Sequence, residues 1–235
     1  MDSLEAPTLW TERLRLRPFR RSDLDDYAAL NADREVLRYR GGEEPWDRGR
    51  SWRHMAFLLG HWQLAGSGMW ALEQRETGAF LGFVGFAEPE GWPGLELAWT
   101  LARRWWGYGY ATEGARAALV HAFTAWHKDR VISLIHPENR ASIRVAERIG
   151  ERLQDRIHHF GREMLCYGID RESHAIERRR ERRPQEALLN PHRQAVPPSL
   201  NLALHEPLLS LQGAYVAGAP VQRLPASGRA LPEES

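Results

Sequence analysis

The sequence predicts an α/β domain of six to seven strands and about four helices, followed by an extension of different composition. Three observations predict it. Between Arg13 and Ile169, short runs with two-residue alternation take turns with stretches whose apolar residues recur every three or four. A strand-like run, Leu95 to Leu101, leads into Gly107-Tyr108-Gly109 and then a helical pattern to about Trp126, a strand–turn–helix join. No tryptophan follows Trp126, and after Asp170 proline becomes frequent and the run Arg178-Arg179-Arg180-Glu181-Arg182-Arg183 appears.

From the N-terminus, Arg13 to Phe19 alternates, Leu14 and Leu16 on one face and Arg13, Arg15 and Arg17 on the other, as a half-buried strand does. Ser22-Asp23-Leu24-Asp25 reads as a helix start with Ser22 as cap, and Leu24, Tyr27, Ala28 and Leu30 supply the stripe. Gly41 to Pro45 is a loop. A second helix covers about Arg48 to Leu64, with Trp52, Met55, Ala56, Leu59 and Trp62 on one face. Gly68 to Gln74 and Phe80 to Phe86 pair through the turn Arg75-Glu76-Thr77-Gly78. After the loop Glu88 to Gly94 comes Leu95 to Leu101, with Glu96, Ala98 and Thr100 on one face and Leu95, Leu97, Trp99 and Leu101 on the other. The helix 109–126 presents Ala111, Ala115, Ala118, Leu119, Ala122 and Phe123 to a sheet. Val131 to Ile135 is a short buried strand. Asn139 to Ile149 is a helix capped by Asn139 and ended by Gly150. Arg152 to Ile157 and Arg162 to Ile169 form a last antiparallel pair, turning near His159-Phe160-Gly161.

Composition bounds the functions. The chain of 235 residues, 43% hydrophobic, holds one large domain or one domain and an extension. We read residues 1–170 as the domain and 171–235 as an Arg/Pro-rich, mostly disordered extension. A formal net charge of +1 argues against nucleic acid or an acidic membrane as partner. The single cysteine, Cys166, allows no internal disulfide, and its place in an alternating run makes it a small buried hydrophobe. No run reaches transmembrane length and the first residues lack a basic-then-apolar leader. The expectation is a soluble cytoplasmic protein, monomer or homodimer, without a metal site.

Two glycines two apart at a strand-to-helix junction let the backbone turn tightly and let amides face one spot with no Cβ in the way. Amides at a helix start attract an anion. The stretch therefore reads as a phosphate or pyrophosphate site, with plain turn chemistry as the alternative for the glycines alone. It is not a P-loop, since no Gly-Lys-Ser/Thr follows, nor a dinucleotide fingerprint, since the third glycine is missing. Arg104-x-x-Gly107-x-Gly109 resembles the acyl-CoA pyrophosphate loop of the GNAT acetyltransferase superfamily. Its extension, Gly107-Tyr108-Gly109-Tyr110-Ala111-Thr112-Glu113-Gly114, is similar to the RimJ/RimL-type branch, whose members acetylate protein N-termini or small amines. Pro137 to Gly150, with Asn139 and Ser142, resembles a second element of that branch, and Glu12 to Pro18 resembles the family's first strand. The resemblance covers about residues 8–169, with its blocks in order. It implies the GNAT fold, a mixed, mostly antiparallel central sheet splayed in the middle.

The resemblance implies direct transfer of an acetyl group from acetyl-CoA to a primary amine, either a protein N-terminus or a small amine. It assigns Arg104, Trp105, Trp106, Gly107, Tyr108, Gly109, Tyr110, Ala111 and Thr112 to the pyrophosphate loop. It assigns the backbone of Ala98, Trp99, Thr100 and Leu101 to the pantetheine arm, held like an added strand, one amide polarising the thioester carbonyl. Glu96 occupies the acidic position of the family's E-[IL]-[GA]-[YW] run and is the first choice of base, with a strand-end glutamate in water or paired with arginine as the alternative. Glu88, in the loop on the acceptor side, is second. His136, His158 and His159 titrate in the right range, but ten histidines make a chance placement common. Asn139 is expected to bond the pantetheine, to cap its helix, or both. Ser142 is expected near the departing thiolate. The tyrosine that many members carry seven residues after the asparagine is replaced by Ala146, and Glu151 stands where an aromatic residue is usual. The resemblance makes the two N-terminal helices and their loop part of the acceptor wall, with Trp46, Trp52 and Trp62 as pocket or core residues. Two other functions compete: a non-catalytic acyl-CoA sensor with the same fold, and RNA binding through the arginine run.

Overall fold

The computed structural model describes residues 6–40, 44–159 and 161–176, all within one compact unit of the chain. The arginine run and the rest of the expected extension from residue 177 lie outside them. The strands are β1 (Leu9–Trp10), β2 (Leu14–Arg17), β3 (Met69–Gln74), β4 (Phe80–Ala87), β5 (Glu96–Leu101), β6 (Arg130–Ile135), β7 (Arg152–His159) and β8 (Arg162–Asp170). The helices are α1 (Leu24–Ala32), α2 (Arg34–Leu37), α3 (Arg48–Ala65), α4 (Tyr110–Thr124) and α5 (Arg140–Arg148). The seven expected strands are β2 to β8; β1, two residues long, is too short to show alternation.

The sheet runs β1-β2-β3-β4-β5-β6-β8-β7. Every neighbouring pair is antiparallel except β5 and β6, which are parallel and in register only at Glu96 and Ile132. There the Ile132 amide donates to the Leu95 carbonyl at 3.0 Å. One step on, the Ser133 hydroxyl lies 2.7 Å from the Leu97 carbonyl. Beyond this the two strands separate, leaving the far half of β5 without a ladder partner on that side. On its other side β5 is held close: a Cβ on Gly82 of β4 would stand 2.1 Å from the Thr100 carbonyl oxygen. Only glycine lets β4 lie that near.

Alternation splits the apolar residues between two cores. Leu14, Leu16, Trp70, Leu72, Val84 and Leu97 pack with Ala115, Ala118, Leu119 and Ala122 of α4. Met69, Ala71, Phe80 and Phe83 of the same strands pack with Tyr27, Leu30, Met55 and Leu58 of α1 and α3. Burying each large side chain contributes roughly 1.5–3 kcal/mol. A third cluster joins α5, through Ile143 and Ala146, to Ile135, Leu165 and Tyr167. Cys166 is free and buried. No helix of the described residues is long and apolar enough to cross a membrane.

Three local expectations differ from the structure. Ser22 does not cap a helix: the chain enters α1 through a 3-10 turn, Arg21–Asp23. Asp23 accepts from the Arg20 amide at 2.7 Å and grips Arg17 with both carboxylate oxygens, each at 2.7 Å. Arg17 is therefore buried, not solvated; Glu73 takes its Nε at 2.6 Å, and its charge is doubly answered. Finally, α3 buries Ser51, Met55, Leu58, His61 and Trp62, while Trp52, Ala56 and Leu59 face outward. The helix carries apolar residues nearly all round, so periodicity left its rotation open. Two hydrogen bonds fix it: Trp62 Nε1 donates to the Met69 carbonyl at 3.0 Å, and His61 Nδ1 lies 2.7 Å from the Ser67 carbonyl. Residues 171–176 are helical, with His174 buried against Phe123.

Candidate functional site

Where β5 leaves β6, two cavities meet end to end, one of about 420 Å³ and one of about 480 Å³. Tyr39, Arg40, Trp99, Thr100, Asn139 and Ser142 line both and mark the join. The larger cavity runs to the start of α4; the smaller runs past Glu96 toward the loop before β5.

At the α4 end, Gly107 and Gly109 have φ of 84° and 82°, left-handed backbone that a side chain rarely adopts. A Cβ at Gly107 would meet nothing within 4 Å, and one at Gly109 only Arg13 Nη2 at 3.5 Å, so the glycines face open space. No side chain caps α4, which leaves its first-turn amides to an outside anion. Glu113 in that first turn is tied away from them. Its carboxylate accepts from Thr11 Oγ1 at 2.6 Å, the Arg13 amide at 2.9 Å and Arg13 Nε at 2.7 Å. Burial by itself raises its pKa, but these donors outweigh burial and hold it below the usual carboxylate value. Arg13 also donates to the Tyr108 carbonyl at 3.0 Å, pinning the loop to β2.

Most of the predicted cofactor residues come together here. Trp99, Thr100, Leu101, Trp105, Trp106, Gly107, Gly109, Tyr110, Ala111, Thr112, Asn139 and Ser142 line the larger cavity, and Ala98 lines the smaller. Arg104 and Tyr108 line neither. Arg104 Nη2 faces Asp26 at 3.5 Å, and Tyr108 is 61% exposed, stacked on Tyr110. Trp106 Nε1 donates to the Leu101 carbonyl at 2.8 Å, so that carbonyl is already engaged. Asn139 caps α5, its Oδ1 accepting from the Ser142 amide at 3.1 Å. Arg140, Arg144 and Arg148 also line the larger cavity, four residues apart on one helical face. They were missed in the sequence, although their spacing is the signal that finds them.

Glu96 lines the smaller cavity and accepts from Trp92 Nε1 at 2.6 Å, and the Leu134 amide nearby also favours its charged form. Desolvation outweighs both donors and pushes its pKa up to about 7. Behind it Glu151 is fully buried, its Oε1 3.0 Å from Ser133 Oγ; burial, with Glu96 nearby, pushes its pKa up to about 8. Glu88 is exposed and lines neither cavity; its amide bonds His61 Nε2 at 3.1 Å. His136 and His159 line the smaller cavity, whereas His158 is exposed. Trp46, Trp52 and Trp62 do not line it. Trp62 is core, Trp52 is 55% exposed, and Trp46 packs on His54 and Arg40; His54, Phe57 and Leu58 are the wall that α3 provides. Ala146 is buried in the third core cluster and has no acid to offer; Tyr39, unforeseen in the sequence, stands at the join instead.

The arrangement can hold an extended ligand along β5 with its anionic end at the α4 amides, and a second, smaller molecule beside Glu96. Residues 13–152 match the family profile described as an acetyltransferase (GNAT) domain. The chain is 33% identical over 162 residues to an uncharacterized protein of Bacillus subtilis, YkkB, covering 68% of this chain and 93% of that one. It superposes on an acetyltransferase from Agrobacterium tumefaciens with a TM-score of 0.65 and 34% identity, covering 70% of this chain and 95% of the other. It shares its fold with Mycobacterium smegmatis RimJ in complex with CoA-disulfide, at a TM-score of 0.56 and 21% identity, over 68% of this chain and 82% of RimJ.

Proposed function

The chain belongs to the GNAT acetyltransferase family, and from that premise we propose that it transfers an acetyl group from acetyl-CoA directly to a primary amine, a small amine or a protein N-terminus. One observation carries the reading: two cavities join at the parted edge of β5, with an uncapped helix start in one and the carboxyl of Glu96 in the other. Acetyl-CoA, when bound, supplies the acyl group as a thioester.

The residues present fit that group. The amides of 107–112 suit a pyrophosphate, Arg140, Arg144 and Arg148 suit further phosphate charge, and the unpaired edge of β5 from Ala98 to Thr100 suits the amides of a pantetheine arm. That the RimJ structure holds a CoA-disulfide on the same fold supports the assignment. An ammonium cannot attack a carbonyl, so its proton has to leave first. With a pKa of about 7, Glu96 is partly ionised near neutral pH and takes that proton. Ser142, Tyr39 and Thr100, at the join, are the hydroxyls available to support a departing sulfur.

Thiol release from acetyl-CoA, measured with a panel of primary amines and read together with mass analysis of the amines, tests the proposal. Amine-dependent release matched by acetylated product is the expected result. CoA binding without release for any amine would replace it with the sensor reading.

A further inference from the structure

The acceptor cavity is unequal in charge. Among the described residues that line it, Glu96 is the only acid, while Arg40 and Arg162 are both cations. Arg40 is the telling one. Its Nη1 donates to Asn31 Oδ1 at 2.8 Å, its guanidinium lies against the Trp46 and Phe83 rings at 5.2 and 5.1 Å, and the Tyr27 hydroxyl is near enough to favour its charge. Each of these groups is neutral, and no carboxylate of the described residues pairs with it. His54, next to Tyr27, is held neutral by burial and by the positive field of Arg40 and Arg50. Arg40 is half-buried, and a guanidinium shielded from water with no opposite charge is costly and is normally answered by one. Arg40 lines this cavity at its join with the larger one.

Resting on the acyl-transfer reading above, we propose that the acceptor is a small primary amine carrying a carboxylate, received by Arg40 while Glu96 takes the amine proton. The guanidinium fork matches a carboxylate's two oxygens. The volume of about 420 Å³ admits a small molecule and not a folded surface. Polyamines and aminoglycosides fit poorly, because their several ammonium groups would face two arginines and a single carboxyl.

The test compares kcat/KM for α- and ω-amino acids, their amides and a polyamine, each corrected for its neutral-amine fraction. The wild type is expected to favour the carboxylate member of its best pair by about tenfold to a hundredfold, the range of a charge-assisted hydrogen bond. Arg40→Met should bring that ratio close to one. Asn31→Asp, a change of one atom at a fully buried site, sets a carboxylate against Arg40 from within and should do the same with the fold kept. CoA affinity by calorimetry should stay unchanged in both. Amides or polyamines used as well as amino acids, or a ratio unmoved in both variants, would overturn the inference. A fall of CoA affinity in step with the ratio would place Arg40 in the cofactor site and overturn it too. No acetylation of any amine would count against acyl transfer itself; transfer without carboxylate preference counts only against this inference.

Discussion

Ser133 Oγ stands 3.0 Å from Glu151 Oε1 and 2.7 Å from the Leu97 carbonyl, so a single hydroxyl proton faces two oxygens. The carbonyl can only accept. The hydroxyl therefore donates to Leu97, and Glu151 must donate to the hydroxyl, which requires it to be protonated. Its complete burial and its pKa of about 8 agree. This chain of two hydrogen bonds ties the end of α5 to the last joined point of β5 and β6.

A carboxyl whose native pKa exceeds its unfolded value stabilises fully below the unfolded pKa, here 4.5, and that stability is lost as pH rises through about 8. Unfolding free energy should fall with pH over that window by up to about 1.4 kcal/mol per pH unit for this group. Glu151→Gln, which keeps a donor and removes the titration, should flatten the slope while leaving the part due to Glu96. Urea midpoints at several pH values measure it, and an unaltered slope would show that Glu151 is ionised in the native state.

Gly109→Val forces a β-branched residue to φ 82°. The strain costs roughly 1–3 kcal/mol and displaces the amides at the start of α4. CoA affinity by calorimetry should drop by more than about tenfold. Unchanged affinity in a folded variant would move the pyrophosphate elsewhere.

Arg144→Ala should weaken CoA binding by about tenfold and lessen its dependence on salt, since a charge facing phosphate is screened by ions. Affinity that stays the same at low and high salt would show that the α5 arginines face solvent only.

Asp23→Ala leaves Arg17 buried with Glu73 alone. Removing one partner of a buried ion pair costs roughly 3–5 kcal/mol, and Glu73 should keep the loss toward the lower end. Denaturant unfolding measures it; a loss near zero would mean that Arg17 escapes to water.

The fold was legible where one period dominated. Leu14 and Leu16, the α4 alanines and the Asn139 cap all lie where their spacing placed them. The face of α3 was not legible, because Trp52, Ala56 and Leu59 are as apolar as the residues it buries, and bonds to Ser67 and Met69 made the choice. The glycine loop was legible as local chemistry, whereas Glu96 stood out only through the family resemblance. Tyr39 and Arg40 were not legible, since they follow the four-residue α2 and meet the site only through tertiary packing. Glu151 was visible only as a departure from a pattern; its meaning needed the position of Ser133.

The most direct measurement is the pH dependence of kcat/KM for an acetylated amine, in the wild type and in Glu96→Gln. The wild-type value should rise with pH and level off above about 7, as Glu96 becomes able to take a proton. Glu96→Gln should lower it by about 10²–10⁴-fold, erase that inflection and leave CoA affinity intact. A variant that keeps both the rate and the inflection would contradict the account.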